Sequence, residues 1–240
     1  MGTLFEELDY VQTRMGPLSL RRRRGFASNS DIYEIKLGEE FLMTSMCADS
    51  EIALAEIALA DVAGDSLDVV VGGLGLGYTA RAVLSDPRVK SVIVIESVAE
   101  VIDWHEKGLL PLGRELVADP RSRLVHGDFF TMAGATGGGL DPENAGRKLD
   151  AILVDIDHSP TNPLHPDHAA LYERAGILHL SRRLNPGGVF GLWSNDPPDR
   201  EFSATLDEVF GTSRAEVFVF PSPLLERNEA STIYIARRSH

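Results

Sequence analysis

The chain has almost no cysteine and no long apolar run, and each absence excludes a class of protein. Cys47 is the one cysteine in 240 residues, so no internal disulfide forms, which predicts a reducing, cytoplasmic location. The apolar runs have the length of strands, well short of the roughly 20 residues that a membrane helix needs. The acidic opening MGTLFEELDY lacks the apolar core of a secretory signal. We therefore expect no membrane partner.

Positive charge is also scarce. The chain has 23 Lys and Arg residues against 36 Asp and Glu residues, which gives a formal net charge of −13. A field of this sign repels the phosphates of nucleic acids and attracts cations. We expect no nucleic-acid partner and a small-molecule substrate, with a cationic one favoured.

The sequence pattern changes near Asp68. Before it, YVQTRMGPLSLRRRR and DIYEIKLGEEFLMTS predict short strands broken at Gly16-Pro17 and Gly38. After it, strands alternate with helices, and AEVFVFPS and STIYIARR close the chain as two strands joined by a turn. This order predicts an α/β fold with a doubly wound, mostly parallel sheet of seven strands. We divide the chain into an N-terminal β-hairpin layer, 1–48, and a ligand-binding domain, 49–240.

A glycine-rich turn follows the first strand of the large sheet. LDVVVGG is a continuous apolar run, typical of a buried parallel strand, and it leads into a turn and a helix. Glycine permits the tight turn and lets a ligand approach the main chain closely, and the helix N-terminus favours an anionic group. A nucleotide pyrophosphate and the carboxylate of a methionine tail both meet that requirement. The predicted cofactor-binding residues of the turn are Gly72, Gly73, Gly75 and Gly77.

The spacing of these glycines matches two cofactor classes. Gly75, Gly77 and Ala80 match the dinucleotide fingerprint G-x-G-x-x-A, with Glu96 about 20 residues further on. Gly73, Gly75 and Gly77 equally match the G-x-G-x-G loop of class I methyltransferases. In both cases Glu96 would accept hydrogen bonds from ribose hydroxyls, whereas the alternative is that it only caps a helix.

Residues at the ends of later strands favour an adenosyl cofactor, which we predict to be S-adenosylmethionine. In His126-Gly127-Asp128-Phe129, Asp128 suits the exocyclic amine of an adenine and Phe129 suits its ring. The acids of successive strands share one crevice, where sheets of this type bind ligands. A dehydrogenase would usually need a further catalytic domain.

The predicted catalytic residues follow the fourth strand of the large sheet. Transfer of a methyl or aminopropyl group from a sulfonium is an in-line displacement that needs an aligned, deprotonated nucleophile. Asp155 would face the cofactor or the nucleophile, and Asp157 and His158 would act as the base.

Other interpretations of these residues stay open. The segment could be a polar surface loop whose path is set by prolines. It could also hold a divalent cation, through Asp157 and His158 with Asn195 and Asp196, or zinc through histidines. We predict no metal. On the helix after the second strand, we predict that Trp104 is a packing residue and His105 a surface residue.

Several segments together resemble the spermidine-synthase-like branch of the class I S-adenosylmethionine fold. They are VVVGGLGLGYTARAVLSDPRVKSVIVIES, HGDFF, LVDIDHSP and LNPGGVF. The resemblance implies a Rossmann-like S-adenosylmethionine-binding domain of the class I methyltransferase type, with a hairpin layer that often helps to form a dimer. It therefore implies a homodimer.

The chain departs from that family at three places. Gly75 stands where spermidine synthases carry an aspartate that holds the amine of the cofactor. The helix SEIALAE replaces a Tyr-His-Glu motif, and His158 replaces the second acid after the fourth strand. The sequence thus predicts an S-adenosylmethionine-dependent methyltransferase for a small molecule. The alternatives are an aminopropyltransferase of polyamine synthesis and a non-catalytic, cofactor-binding dimeric protein.

Overall fold

The computed structural model describes residues 5–13, 15–25, 30–134, 138–221 and 228–239. Parts of the predicted N-terminal layer, 1–4, 14 and 26–29, lie outside these ranges, as do 135–137 of the glycine-rich loop before the fourth strand. The described chain forms a four-stranded sheet and a seven-stranded sheet. The last strand of the N-terminal sheet ends at Thr44, and the first helix begins at Asp49.

The N-terminal sheet is an antiparallel meander. Its strands are β1 (Phe5–Thr13), β2 (Gly16–Arg24), β3 (Asp31–Leu37) and β4 (Glu40–Thr44). One face of this sheet packs into the main core through Leu18, Leu20 and Ile35. Successive side chains of a strand point to opposite faces, so the other face is directed away from this core. The sheet is therefore packed against the large domain.

The large sheet has the strand order β10-β11-β9-β8-β5-β6-β7. Its strands are β5 (Leu67–Gly72), β6 (Val89–Glu96), β7 (Ser122–His126), β8 (Leu149–Val154), β9 (Leu184–Ser194), β10 (Ser213–Pro221) and β11 (Asn228–Arg237). The first five are parallel, and β11 is antiparallel to both of its neighbours. This confirms the predicted fold, including the antiparallel pair at one edge.

Helices cover both faces of the large sheet. They are α1 (Asp49–Ala60), α2 (Tyr78–Ser85), α3 (Ala99–Glu106), α4 (Gly113–Ala118), α5 (Phe129–Ala133), α6 (Ala169–Tyr172), α7 (Arg174–Ser181) and α8 (Arg200–Phe210). Within the described residues, no helix is both long and apolar enough to cross a membrane.

Two helical segments differ from the prediction. The pattern of SRLVHGDFF predicts a strand as far as Phe130, but the strand ends at His126 and α5 begins at Phe129. Asp128 caps this helix by accepting a hydrogen bond from the backbone N–H of Phe130. The segment HAALYERAGILHLSRRL, predicted as one helix, breaks at Glu173, where the backbone is extended. Gly176 permits the tight packing at this break, since a Cβ there would lie 2.3 Å from the carbonyl oxygen of Ala170.

Candidate active site

The carboxyl ends of the five parallel strands form one edge of the large sheet, and this edge carries the predicted site. The glycine turn follows β5, Glu96 ends β6, Asp128 follows β7 and Asp155 follows β8. Parallel strands bring these positions together because all of them point the same way. The N-terminal sheet and α1 lie across the same edge, through Met43 and Glu51.

The glycine turn is pressed tightly against the end of β8. Gly73, Gly75 and Gly77 have φ angles of +94°, +47° and +92°, in the left-handed region that favours glycine. A Cβ added to Gly73 would lie 2.1 Å from the carbonyl oxygen of Asp155. The backbone N–H of Asp155 also donates a hydrogen bond of 2.9 Å to the carbonyl of Gly72. The turn and the residue after β8 are therefore held together through main-chain contacts.

Met43 of β4 covers the middle of this turn. A Cβ added to Gly75 would lie 2.1 Å from the terminal methyl carbon of Met43. The backbone N–H of Leu76 donates a 3.0 Å hydrogen bond to the Met43 sulfur. The N-terminal sheet thus supplies a thioether at the predicted cofactor site, a contact that the sequence pattern does not reveal.

Glu96 contacts the main chain of the glycine turn and that of the residue before the next helix. One carboxylate oxygen accepts a 3.0 Å hydrogen bond from the backbone N–H of Leu74, and the other accepts one of 2.8 Å from Val98. The side chain is half-buried. Each oxygen can accept a further hydrogen bond. The bond to Val98 precedes α3 and does not cap it, since this helix has no side-chain cap. The predicted contact with ribose hydroxyls fits the position of Glu96.

We expect Glu96→Ala to weaken the binding of S-adenosylhomocysteine by at least about tenfold, because two hydroxyl donors of the ligand would lose a buried acceptor. Isothermal titration calorimetry measures this directly. Glu100→Ala, in the first turn of α3, is the control and should bind like the wild type. An unchanged dissociation constant in Glu96→Ala would restrict this residue to its main-chain contacts with Leu74 and Val98.

Asp128 and Phe129 differ in exposure, although they are neighbours in the chain. Asp128 is exposed and accepts hydrogen bonds from the Phe130 N–H and from the Thr131 hydroxyl, at 3.0 and 2.6 Å. Phe129 is 2% exposed and packs beneath Gly72, where an added Cβ would lie 2.7 Å from its ring. This placement favours a supporting role for Phe129 under the turn over the predicted stacking on adenine.

Asp155 lies near enough to a second carboxyl group, Glu51 of α1, for their charges to interact, and we call these two residues the carboxylate pair. The Thr79 hydroxyl donates a 2.5 Å hydrogen bond to Asp155 Oδ2. Ser50 donates to Glu51 at 2.7 Å, and Trp193 Nε1 donates to the Ser50 hydroxyl at 3.0 Å. Trp193 therefore links β9 to the start of α1, beside the pair.

The carboxylate pair has an unusual electrostatic environment. Burial raises the pKa of Glu51 above its ordinary value, and the negative charge of Asp155 raises it further. Burial also raises the pKa of Asp155, although the hydrogen bond from Thr79 opposes this. Because their pKa values are raised, these carboxyl groups hold a proton more readily than ordinary ones, and when they are ionised they attract a cation. Sequence reasoning missed Glu51 because an acid in the first turn of a helix is common.

Asp157 is an anchor for the loop that follows β8. It is 1% exposed, and Oδ1 accepts hydrogen bonds from the Leu164 N–H at 2.7 Å and from His168 Nδ1 at 2.8 Å. Oδ2 accepts one of 2.7 Å from the Tyr172 hydroxyl. The His168 ring stacks on Phe130, with 3.7 Å between ring centroids. The filled acceptor positions favour this anchoring role over the predicted proton transfer.

His158 and Asp196, both considered above as metal ligands, contact different partners. His158 Nε2 lies 3.0 Å from a carboxylate oxygen of Glu40, at the start of β4. Asp196 accepts a 2.5 Å hydrogen bond from Ser159. Among the residues that the structure describes, no three His, Cys, Asp or Glu side chains converge as they would around a metal ion. The role of His158 as a base stays a prediction.

Sequence comparison finds related proteins but no matching family model. A polyamine aminopropyltransferase of Nitrosomonas europaea is 31% identical over 156 residues, which cover 63% of this chain and 44% of that protein. Putrescine N-methyltransferase 3 of Nicotiana tabacum is 25% identical, over 65% of this chain and 39% of that protein. The chain thus spans less than half the length of these relatives.

Structural comparison finds the same fold in a solved structure. Spermidine synthase from Thermotoga maritima superposes with a TM-score of 0.71 at 16% identity, covering 97% of this chain and 72% of that one. Such low identity shows the fold alone. Together with the sequence matches, it confirms the resemblance to the spermidine-synthase-like branch.

Proposed function

We propose that this chain transfers an alkyl group from an S-adenosylmethionine-type sulfonium to the nitrogen of a small amine, and that this group is aminopropyl. The observation that carries the proposal is the carboxylate pair, Glu51 and Asp155, beside the glycine turn. The aminopropyltransferase names of the relatives support it better than the methyl transfer expected from the sequence. A polyamine acceptor is also the cationic small molecule that a net charge of −13 attracts.

The residues at the sheet edge fit an adenosyl cofactor. The glycine turn leads into the N-terminus of α2, which suits the tail of the ligand. Glu96 suits ribose hydroxyls, and Asp128 suits the adenine amine. The bound sulfonium supplies an electrophilic carbon attached to a neutral leaving group. The protein itself then has to orient the acceptor, exclude water and remove a proton from the attacking nitrogen.

The carboxylate pair suits the acceptor. An alkylamine arrives as an ammonium ion, and the two carboxylates attract it when they are ionised. Because burial raises both pKa values toward neutrality, a carboxylate of the pair is a better proton acceptor than an ordinary one. Thr79 holds Oδ2 of Asp155, so Oδ1 is the oxygen that we assign to the nitrogen.

Methyl transfer to an amine is the second candidate, and the contact between Gly75 and Met43 favours it. The methyl group of Met43 lies where a side chain at position 75 would begin. An aminopropyl donor carries a primary ammonium, which gains no counter-charge from this contact. A donor with a carboxylate would instead suit the N–H groups in the first turn of α2, which has no side-chain cap.

The donor decides between these candidates. At a hundredfold excess over its dissociation constant, a ligand of the folded state adds about 2.7 kcal/mol of stability. We expect thermal unfolding to shift upward with S-adenosylhomocysteine and with the preferred donor, and to stay unchanged with NAD.

Transfer is then followed by mass spectrometry with putrescine and other amines. An aminopropylated product made from decarboxylated S-adenosylmethionine supports the first candidate, and a methylated product made from S-adenosylmethionine supports the second. Binding without transfer to any amine would instead support a non-catalytic protein. A shift with NAD alone would overturn the cofactor assignment.

A further inference from the structure

His105 is buried directly beneath the glycine turn. The sequence predicts a surface residue, because His105 lies in the charged segment WHEKG, yet its side chain is 0% exposed. Trp104, also 0% exposed, packs as predicted. A Cβ added to Gly77 would lie 3.0 Å from Cε1 of the His105 ring. Helix α3 therefore contacts the turn from inside the protein through this histidine.

The hydrogen bonds of His105 define its tautomer. Nε2 lies 2.8 Å from the carbonyl oxygen of Gly75, which only accepts hydrogen bonds, so we place the ring proton on Nε2. The other ring nitrogen, Nδ1, is buried and has no hydrogen-bond partner within the described part of the chain. Burial also lowers the pKa of His105, in agreement with a neutral ring. Buried polar atoms without a partner are uncommon and require an explanation.

The peptide bond between Gly75 and Leu76 is held from both sides. In a trans peptide the C=O and N–H groups point in opposite directions. Since His105 binds the Gly75 carbonyl from inside, the Leu76 N–H points outward, where it donates to the Met43 sulfur at 3.0 Å. A thioether is a weak acceptor, and an oxygen or nitrogen of a ligand would be a stronger one.

We propose that His105 is a positioning residue. It holds the Gly75 carbonyl so that the Leu76 N–H is directed at the adenosyl ligand, which takes the place of the Met43 sulfur as hydrogen-bond acceptor. The inference rests on the proposed function, since it needs a ligand on the turn. It explains why a histidine with an unpaired nitrogen stands where an apolar side chain would pack without that loss.

The test compares three substitutions at this position. His105→Leu removes the donor. In His105→Gln the amide reaches about as far as Nε2, whereas in His105→Asn it ends near Nδ1 and does not reach the carbonyl. We expect calorimetry with S-adenosylhomocysteine to show about a tenfold loss of affinity for Leu and Asn and less than about a threefold loss for Gln. Ile102→Val, a buried change on the same helix, controls for general destabilisation and should bind normally.

Wild-type affinity in all three variants would overturn the proposal. Equal losses of affinity in all three would also overturn it, because they would indicate a purely structural role that Gln does not rescue. Nitrogen-15 NMR of the wild type provides a second measurement that needs no variant. We expect a neutral ring protonated on Nε2 at pH 7, and a proton on Nδ1 would overturn the proposal. A wild type that binds no adenosyl ligand would instead show that the proposed function itself is wrong.

Discussion

Asp155→Asn is expected to lower kcat by about 10² to 10⁴, the range that follows loss of a general base. Asparagine keeps the shape of the side chain and can still accept the hydrogen bond from Thr79. It cannot take a proton from the attacking nitrogen. Because the glycine turn contacts residue 155 through its main chain, the affinity for S-adenosylhomocysteine should change only severalfold. Steady-state kinetics and calorimetry separate the two effects.

Asp150→Asn is the matched control for this prediction. Asp150 lies near the start of β8, the strand that Asp155 follows, and accepts hydrogen bonds from the Asp68 backbone and the Asn185 side chain. Its replacement should lower stability and leave kcat unchanged. If Asp155→Asn keeps full turnover, Asp155 is not the base, and His158 becomes the residue to test.

Glu51→Gln is expected to raise KM for the amine acceptor by about 10- to 100-fold, because hydrogen bonds to charged groups contribute more than neutral ones. The same change should raise the stability of the ligand-free protein near pH 8, since it removes repulsion from Asp155. These opposite effects distinguish an acceptor-binding carboxylate from a structural one. Kinetics and thermal unfolding measure them, with Glu56→Gln on the exposed face of α1 as the control.

The pH dependence follows from the raised pKa values of the carboxylate pair. A raised carboxyl pKa stabilises the folded state below the ordinary pKa of the group, and this contribution is lost as pH rises through the folded value. Acceptor binding has the opposite trend, because only the ionised pair attracts a cation. We expect KM of the wild type to fall as pH rises through the raised values and to change less in Glu51→Gln. Equal pH profiles would exclude Glu51 from acceptor binding.

The sequence predicts the fold well because the relevant signals are local. Continuous apolar runs such as LDVVVGG and breakers such as Gly16-Pro17 depend on neighbouring residues, and they mark strands and turns. The glycine turn is also predictable, since a strand, four glycines and a helix require a tight connection. Asp155 follows from its place at the end of a parallel strand. These features need no knowledge of distant contacts.

The roles of the other site residues depend on segments far apart in the chain. Met43 reaches Leu76 from a different sheet, and Glu51 meets Asp155 from a helix that precedes the large sheet. Asp157 has the same sequence context as Asp155, but Leu164, His168 and Tyr172 use its oxygens. One sequence does not reveal such pairings, so it indicates which strand ends carry the candidate residues but not what each side chain contacts.

The contact between Gly73 and the carbonyl of Asp155 has a mechanical consequence. It joins the cofactor turn to the proposed base as one rigid unit, so neither half of the site can shift while the other stays in place. The covering elements, β4 with Met43 and α1 with Glu51, come from outside this unit and can change independently. Relatives that share this unit could therefore change their alkyl donor or amine acceptor through substitutions in β4 and α1 alone. The distance between the cofactor and the base would be preserved.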